Sequence, residues 1–108
     1  MKTLTDEQQR LFDQETTGLV HLFVNVSDEF IESLGFSMVR FHSLQNLRGE
    51  DAEMEVFEHQ DGRRVVKLCV TQVTHTEGEL LHITCYADDL TRPLLEKESN
   101  KYRNGSTN

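Results

Sequence analysis

The chain has 108 residues, 11 lysines and arginines against 19 aspartates and glutamates, and a formal net charge of −8. That length fits one domain with one core, the acidity disfavours nucleic acid, and no apolar run approaches the roughly 20 residues of a membrane helix. Two cysteines, Cys69 and Cys85, are too few for a disulfide framework, and the charged start MKTLTDEQQRLFDQ does not read as a signal peptide, so the predicted location is cytoplasmic.

In chain order, Thr5 followed three residues later by Gln8 predicts a capped helix from Asp6 to Glu15, with Leu11 and Phe12 as its apolar contacts. TTG ends it, and the β-branched LVHLFVNV reads as a strand. SDEFIESLGF then reads as a short helix with Ser27 as N-cap, Phe30, Ile31 and Leu34 on one face, and Gly35 as a left-handed stop. From Phe36 to Asp51 two readings stay open: Phe41, Leu44 and Leu47 form a helical stripe, or they lie in an irregular connection. Three strands follow, AEMEVFEH, RRVVKLCVTQVT and ELLHITCYA, joined by QDG and TEG turns into an antiparallel meander. A short helix or an extended tail comes after Pro93.

The first hairpin register follows from charge. A three-residue loop with Gly62 left-handed pairs Met54 with Leu68 and Val56 with Val66, and sets Glu55 opposite Lys67 and Glu58 opposite Arg64. A two-residue Glu77-Gly78 loop would then pair Val70 with Cys85, Gln72 with Ile83 and Cys69 with Tyr86. These registers put Met54, Val56, Val66, Leu68, Val70, Leu81, Ile83 and Cys85 on a core face. They put Phe57, Val65, Cys69, Val73, His82 and Tyr86 on an outer face too apolar to be left to water, covered by the N-terminal helix or by another molecule.

NVSDEFIESLGFS, in which an Asn ends a strand and a helix closes in a Gly-aromatic-Ser turn, resembles a segment of the PAS domain, a small sensor and interaction fold. EHQDGRRVVKLCVTQVTHTEGELLHITCYADDLTR is similar to the last three strands of that family. The resemblance spans residues 18–95 and implies an α+β fold, an antiparallel meander with helices packed on it. It also implies that Asp89-Leu90-Thr91 is the element that joins such a sensor to a signalling helix. On this division residues 1–17 are a flanking helix and 96–108 a polar, flexible tail. Two departures stand out: one strand rather than two precedes the first motif, and the helical region before the DG hairpin is some twenty residues short. Those helices wall the family's ligand pocket, so no haem or flavin is expected. MVRFHSLQNLRGEDAE lacks the cysteine a flavin photosensor needs and offers only His42 to a haem.

Other chemistry is sparse. No C-x-x-C or H-x-x-x-H spacing suggests a metal. No nucleophile elbow or phosphate-binding glycine loop suggests an enzyme, and the carboxylate clusters DEF.E and GEDAEMEVFE read as solvated helix and loop positions rather than acid/base pairs. A small-molecule ligand is not favoured; its candidate pocket is lined by Phe30, Leu34, Phe41 and Leu44. The predicted function is a stand-alone, non-enzymatic PAS-like module that dimerises or docks a protein partner through Phe57, Val65, Val73, His82 and Tyr86. The alternative is a small acidic inhibitor, of immunity or antirestriction type, presenting Asp28, Glu29, Glu32, Glu50, Asp51, Glu53 and Glu55 to a basic active site or nucleic-acid-binding cleft of a partner.

Overall fold

Side-chain oxygens start the first two helices. Thr5 Oγ1 accepts the Gln8 backbone N–H at 3.2 Å and opens α1, Asp6–Glu15. Ser27 Oγ accepts from Phe30 N–H at 3.1 Å and opens α2, Asp28–Ser33. Between them lies a short strand β1, Val20–Leu22. Gly35, at φ +98°, turns the chain out of α2 into β2, Phe36–Gln45. The backbone angle favours glycine, and a Cβ there would lie 2.8 Å from Nε2 of His59 and push that ring aside. Strands β3 (Asp51–His59), β4 (Arg64–Thr74) and β5 (Gly78–Ala87) follow, and α3, Arg92–Gly105, comes last. The computed structural model describes residues 5–45, 51–74 and 78–105.

The fold is α+β: one five-stranded antiparallel sheet in the order β1-β5-β4-β3-β2, with helices against it. The segment from Phe36 is neither a helical stripe nor an irregular connection. It is an edge strand that pairs with β3 from Phe36↔His59 to Gln45↔Asp51; Leu47 lies outside the described residues. The β3–β4 hairpin has the register that charge pairing predicts, with Met54↔Leu68, Glu55↔Lys67, Val56↔Val66 and Glu58↔Arg64, and Gly62 is left-handed at φ +96°.

The β4–β5 register differs from the sequence reading by three residues. Val66 pairs with Tyr86, Lys67 with Cys85 and Cys69 with Ile83. An odd shift carries every β5 side chain to the other face. Tyr86 therefore joins Met54, Val56 and Val66, while Cys85 and Ala87 join Phe57 and Val65. Cys69 and Cys85 share a face as diagonal neighbours instead of pointing apart. The observed register has a packing reason: small Cys85 and Ala87 lie where helices press closely on the sheet, and the large Tyr86 ring meets Phe12 of α1 edge-on, 5.0 Å between centroids.

Both faces of the sheet are thus covered. One core holds Phe57, Val65, Cys85 and Ala87 with Ile31 of α2, Leu95 of α3 and the segment bearing Val24 and Val26. The other holds Met54, Val56, Val66, Ala52 and Leu44 under Leu11, Phe12 and Leu19. Such three-layer packing suits a sheet apolar on both sides.

After Pro93 the chain takes the helical alternative. Asp88 Oδ1 accepts the N–H groups of Leu90 and Thr91 at 2.9 and 2.8 Å, which turns the chain into α3. Leu95 and Ser99, four residues apart, then face inward, and Ser99 Oγ accepts the Asn25 N–H at 3.3 Å. Residues 96–105 thus continue α3, and Leu95 and Ser99 are buried positions on it.

Phe57 is 0% exposed at the centre of the first core. Phe57→Ala should cost about 3–5 kcal/mol, read as a lowered urea midpoint with an unchanged slope; near-native stability would show that this ring is not core.

Candidate functional site

The residues expected to form a docking face do not form one. Phe57 and Val65 are wholly buried beneath α2 and α3, and Tyr86 is half-buried on the opposite face against Phe12. The side chains of Val73 and His82 lie outside the described residues. The candidate pocket is not assembled either. Phe30 and Leu34 pack on the first core, Leu44 is buried in the second across the sheet, and Phe41 is exposed at the edge. His42 is held by Glu15, Nε2 to Oε2 3.1 Å. Among the described residues no group of three or more His, Cys, Asp or Glu could hold a metal ion, and no helix is long and apolar enough to cross a membrane.

Two charged clusters fasten helices to the sheet. The first centres on Glu15, at the end of α1 and nearly buried. Arg40 of β2 donates to both of its carboxylate oxygens, at 2.7 and 3.0 Å, and Arg64 of β4 reaches its carboxylate and its backbone carbonyl at 3.3 Å. The last turn of α1 has no basic residue of its own, so these guanidinium groups supply the positive charge its C-terminal dipole favours. Burial opposes ionisation of Glu15, but the hydrogen bonds from Arg40 and His42 and the nearby arginine charges outweigh it and hold its pKa below the usual carboxylate range.

The second cluster joins the two carboxylate groups of the sequence, DEF.E and GEDAEMEVFE, which sequence reading kept apart. Lys67 of β4 is buried and donates to Asp28 Oδ1 of α2 at 2.7 Å. Glu55 stands opposite Lys67 in the sheet and close to Asp28. Burial, then the nearby Asp28 carboxyl and its negative charge, push the Glu55 carboxyl up to about 7, against the opposing pull of Lys67. Burial lowers and Asp28 raises the Lys67 pKa, and the rise prevails. Burial also drives the thiols of Cys69 and Cys85 up to about 11 and about 12, so neither is a thiolate at neutral pH. No spacing rule could find this cluster, because it depends on α2 lying over β4.

Of the carboxylates suited to an acidic inhibitor, Asp28 and Glu55 are thereby engaged internally. Glu29, Glu32 and Glu53 face solvent, Glu50 lies outside the described residues, and so does the side chain of Asp51.

The remaining feature is the β2 edge. β2 is ten residues long with a neighbour on one side only. Met38, Val39 and Phe41 are 41%, 46% and 51% exposed there. Val39 is the extra residue of a bulge, since Met38 pairs with Phe57 and Arg40 with the next residue back, Val56.

The two clusters predict opposite responses to pH. The raised Glu55 pKa makes the folded state hold a proton that the unfolded chain releases near its ordinary value, so stability falls as pH rises through about 7. The lowered Glu15 pKa stabilises above the ordinary carboxylate value, and that contribution is lost as pH falls below it. Unfolding free energy should therefore peak near the ordinary carboxylate value, between about pH 4 and 5, and decline from there to about pH 7. Glu55→Gln should flatten the alkaline limb by about 1–2 kcal/mol, a figure discounted for partial exposure. Urea melts from pH 4 to 8.5 check this, and an unchanged alkaline limb in the variant would refute the role of Glu55. Glu15→Gln should cost about 1–3 kcal/mol and speed amide exchange in α1 first; uniform exchange over all elements would show that Glu15 is not the α1 fastener.

No family model matches the chain, and no curated protein or solved structure matches it either.

Proposed function

We propose that this chain is a PAS-like protein-interaction module rather than an enzyme, and that it meets its partner by strand addition along β2. The observation that carries the reading is the long open edge with Met38, Val39 and Phe41 exposed on it, while helices occupy both faces of the sheet. An unpaired edge offers a row of backbone donors and acceptors that another strand satisfies, and exposed apolar side chains add selectivity. The protonated thiols and the internally bonded Asp28, Glu15 and Lys67 support a non-catalytic role, since their hydrogen bonds serve to hold helices in place. The Asp89-Leu90-Thr91 element running into α3 is in keeping with the family resemblance.

A photo-crosslinking residue at Val39, with the exposed Glu32 of α2 as control, tests the reading in cells making the full chain. Val39 should give discrete protein adducts and Glu32 none, and the yield should persist at about 1 M salt, where charges are screened beyond about 3 Å. Absence of Val39 adducts, or equal yields from both positions, would sink strand addition. Adducts lost at high salt would favour an acidic surface meeting a basic partner.

A further inference from the structure

We infer that the strand added to β2 is β2 of a second copy, antiparallel, with the twofold axis passing between Val39 and Arg40. The inference rests on the strand-addition reading and supplies its partner and register.

The bulge is the starting point. In a regular strand, residues three apart face opposite sides of the sheet. The extra residue at Val39 changes this. Met38 pairs with Phe57 and Phe41 with Glu55, and Phe57 and Glu55 lie two apart on the same face of β3. Met38 and Phe41 therefore share that face although they are three apart in sequence. Both are exposed.

An isologous contact needs a strand complementary to itself. With the axis between Val39 and Arg40, Met38 of each copy lies opposite Phe41 of the other, on matching faces. Two sulfur–aromatic contacts form at once. Ser37 then faces His42 and Phe36 faces Ser43, again on matching faces. Both strands carry the same extra residue, so their ladders stay in step through the bulge. An ordinary strand would fall out of step there.

Charge agrees with this occupant. The protein carries −8, so two copies repel over most of their surfaces, but Phe36–Gln45 contains no aspartate or glutamate. Its one full cation, Arg40, lies beside the axis and is already neutralised by Glu15 at 2.7 Å and Glu58 at 3.0 Å within its own copy. The two Arg40 side chains thus meet as ion pairs rather than as bare charges.

Disulfide trapping reads this register. Met38→Cys and Phe41→Cys chains, mixed and oxidised, should give covalent dimers, while either variant alone should give no more than the wild type. In sedimentation, Phe41→Lys should weaken self-association at least tenfold with an unchanged circular dichroism spectrum, because that side chain is half exposed. Self-linked Phe41→Cys dimers would place the axis on Phe41 and overturn the register. A wild-type chain that stays monomeric at all concentrations would overturn the second copy; Val39 adducts to a different protein would in that case leave strand addition standing.

Discussion

A sheet that is apolar on both sides has no face to give to water, and the other elements of this protein are arranged around that constraint. Phe57 and Val65 lie on one side and Met54, Val56 and Val66 on the other, at alternating positions of the same two strands. Burying one side alone would leave several large side chains exposed, each worth about 1.5–3 kcal/mol when removed from water. α1 has to cross to one face, and α2 and α3 to the other. For the proposed function the consequence is direct: with both faces covered, the rim is what is left for another molecule, and β2 is the longer of the two edge strands.

Apolar burial is non-directional, so the placement of the helices falls to charge. α1 brings only Leu11 and Phe12 to its core, but it ends at Glu15, which two arginines from different strands grip at once. α2 is six residues long, too short to be stable alone, and the Asp28–Lys67 bond fixes its first turn over β4. Each pairing is partly buried, where losing one partner costs more than the pair contributes. Part of the acidity that composition presents as a surface property serves as fastening: Glu15, Asp28 and Glu58 all have cationic partners.

What the sequence disclosed follows the range of the interactions. Caps and left-handed glycines act over three or four residues, so Thr5, Ser27, Gly35 and Gly62 were legible one by one. The β3–β4 register was legible because Glu55, Lys67, Glu58 and Arg64 form opposite pairs in only one alignment. The β4–β5 hairpin has no such pairs near its turn, and its true register rests on how Cys85, Ala87 and Tyr86 pack against helices distant in sequence. β2 misled for a local reason. Phe41 and Leu44, three apart, suggest one side of a helix, whereas in β2 they lie on opposite faces of the sheet, across from Glu55 and Ala52. Of the acid–lysine cluster the Glu55–Lys67 half was legible in the β3–β4 register, and Asp28 was not, because it comes from α2, which is packed over the strands.

The same bulge bears on why an open edge can be tolerated. Edges are a hazard because any extended chain can add to them, and a bulge is a common way to blunt one, since the ladder loses step with a regular strand. That protection is selective rather than total. A strand with an extra residue at the matching place keeps step, and the strand certain to have it is another β2. On the proposed pairing, a device that excludes most extended chains admits a second copy, and it also turns Met38 and Phe41 to one side, where each would meet the other across the twofold axis. Specificity of the proposed kind needs no pocket and no buried polar group, only one residue more on the edge strand than on its neighbour.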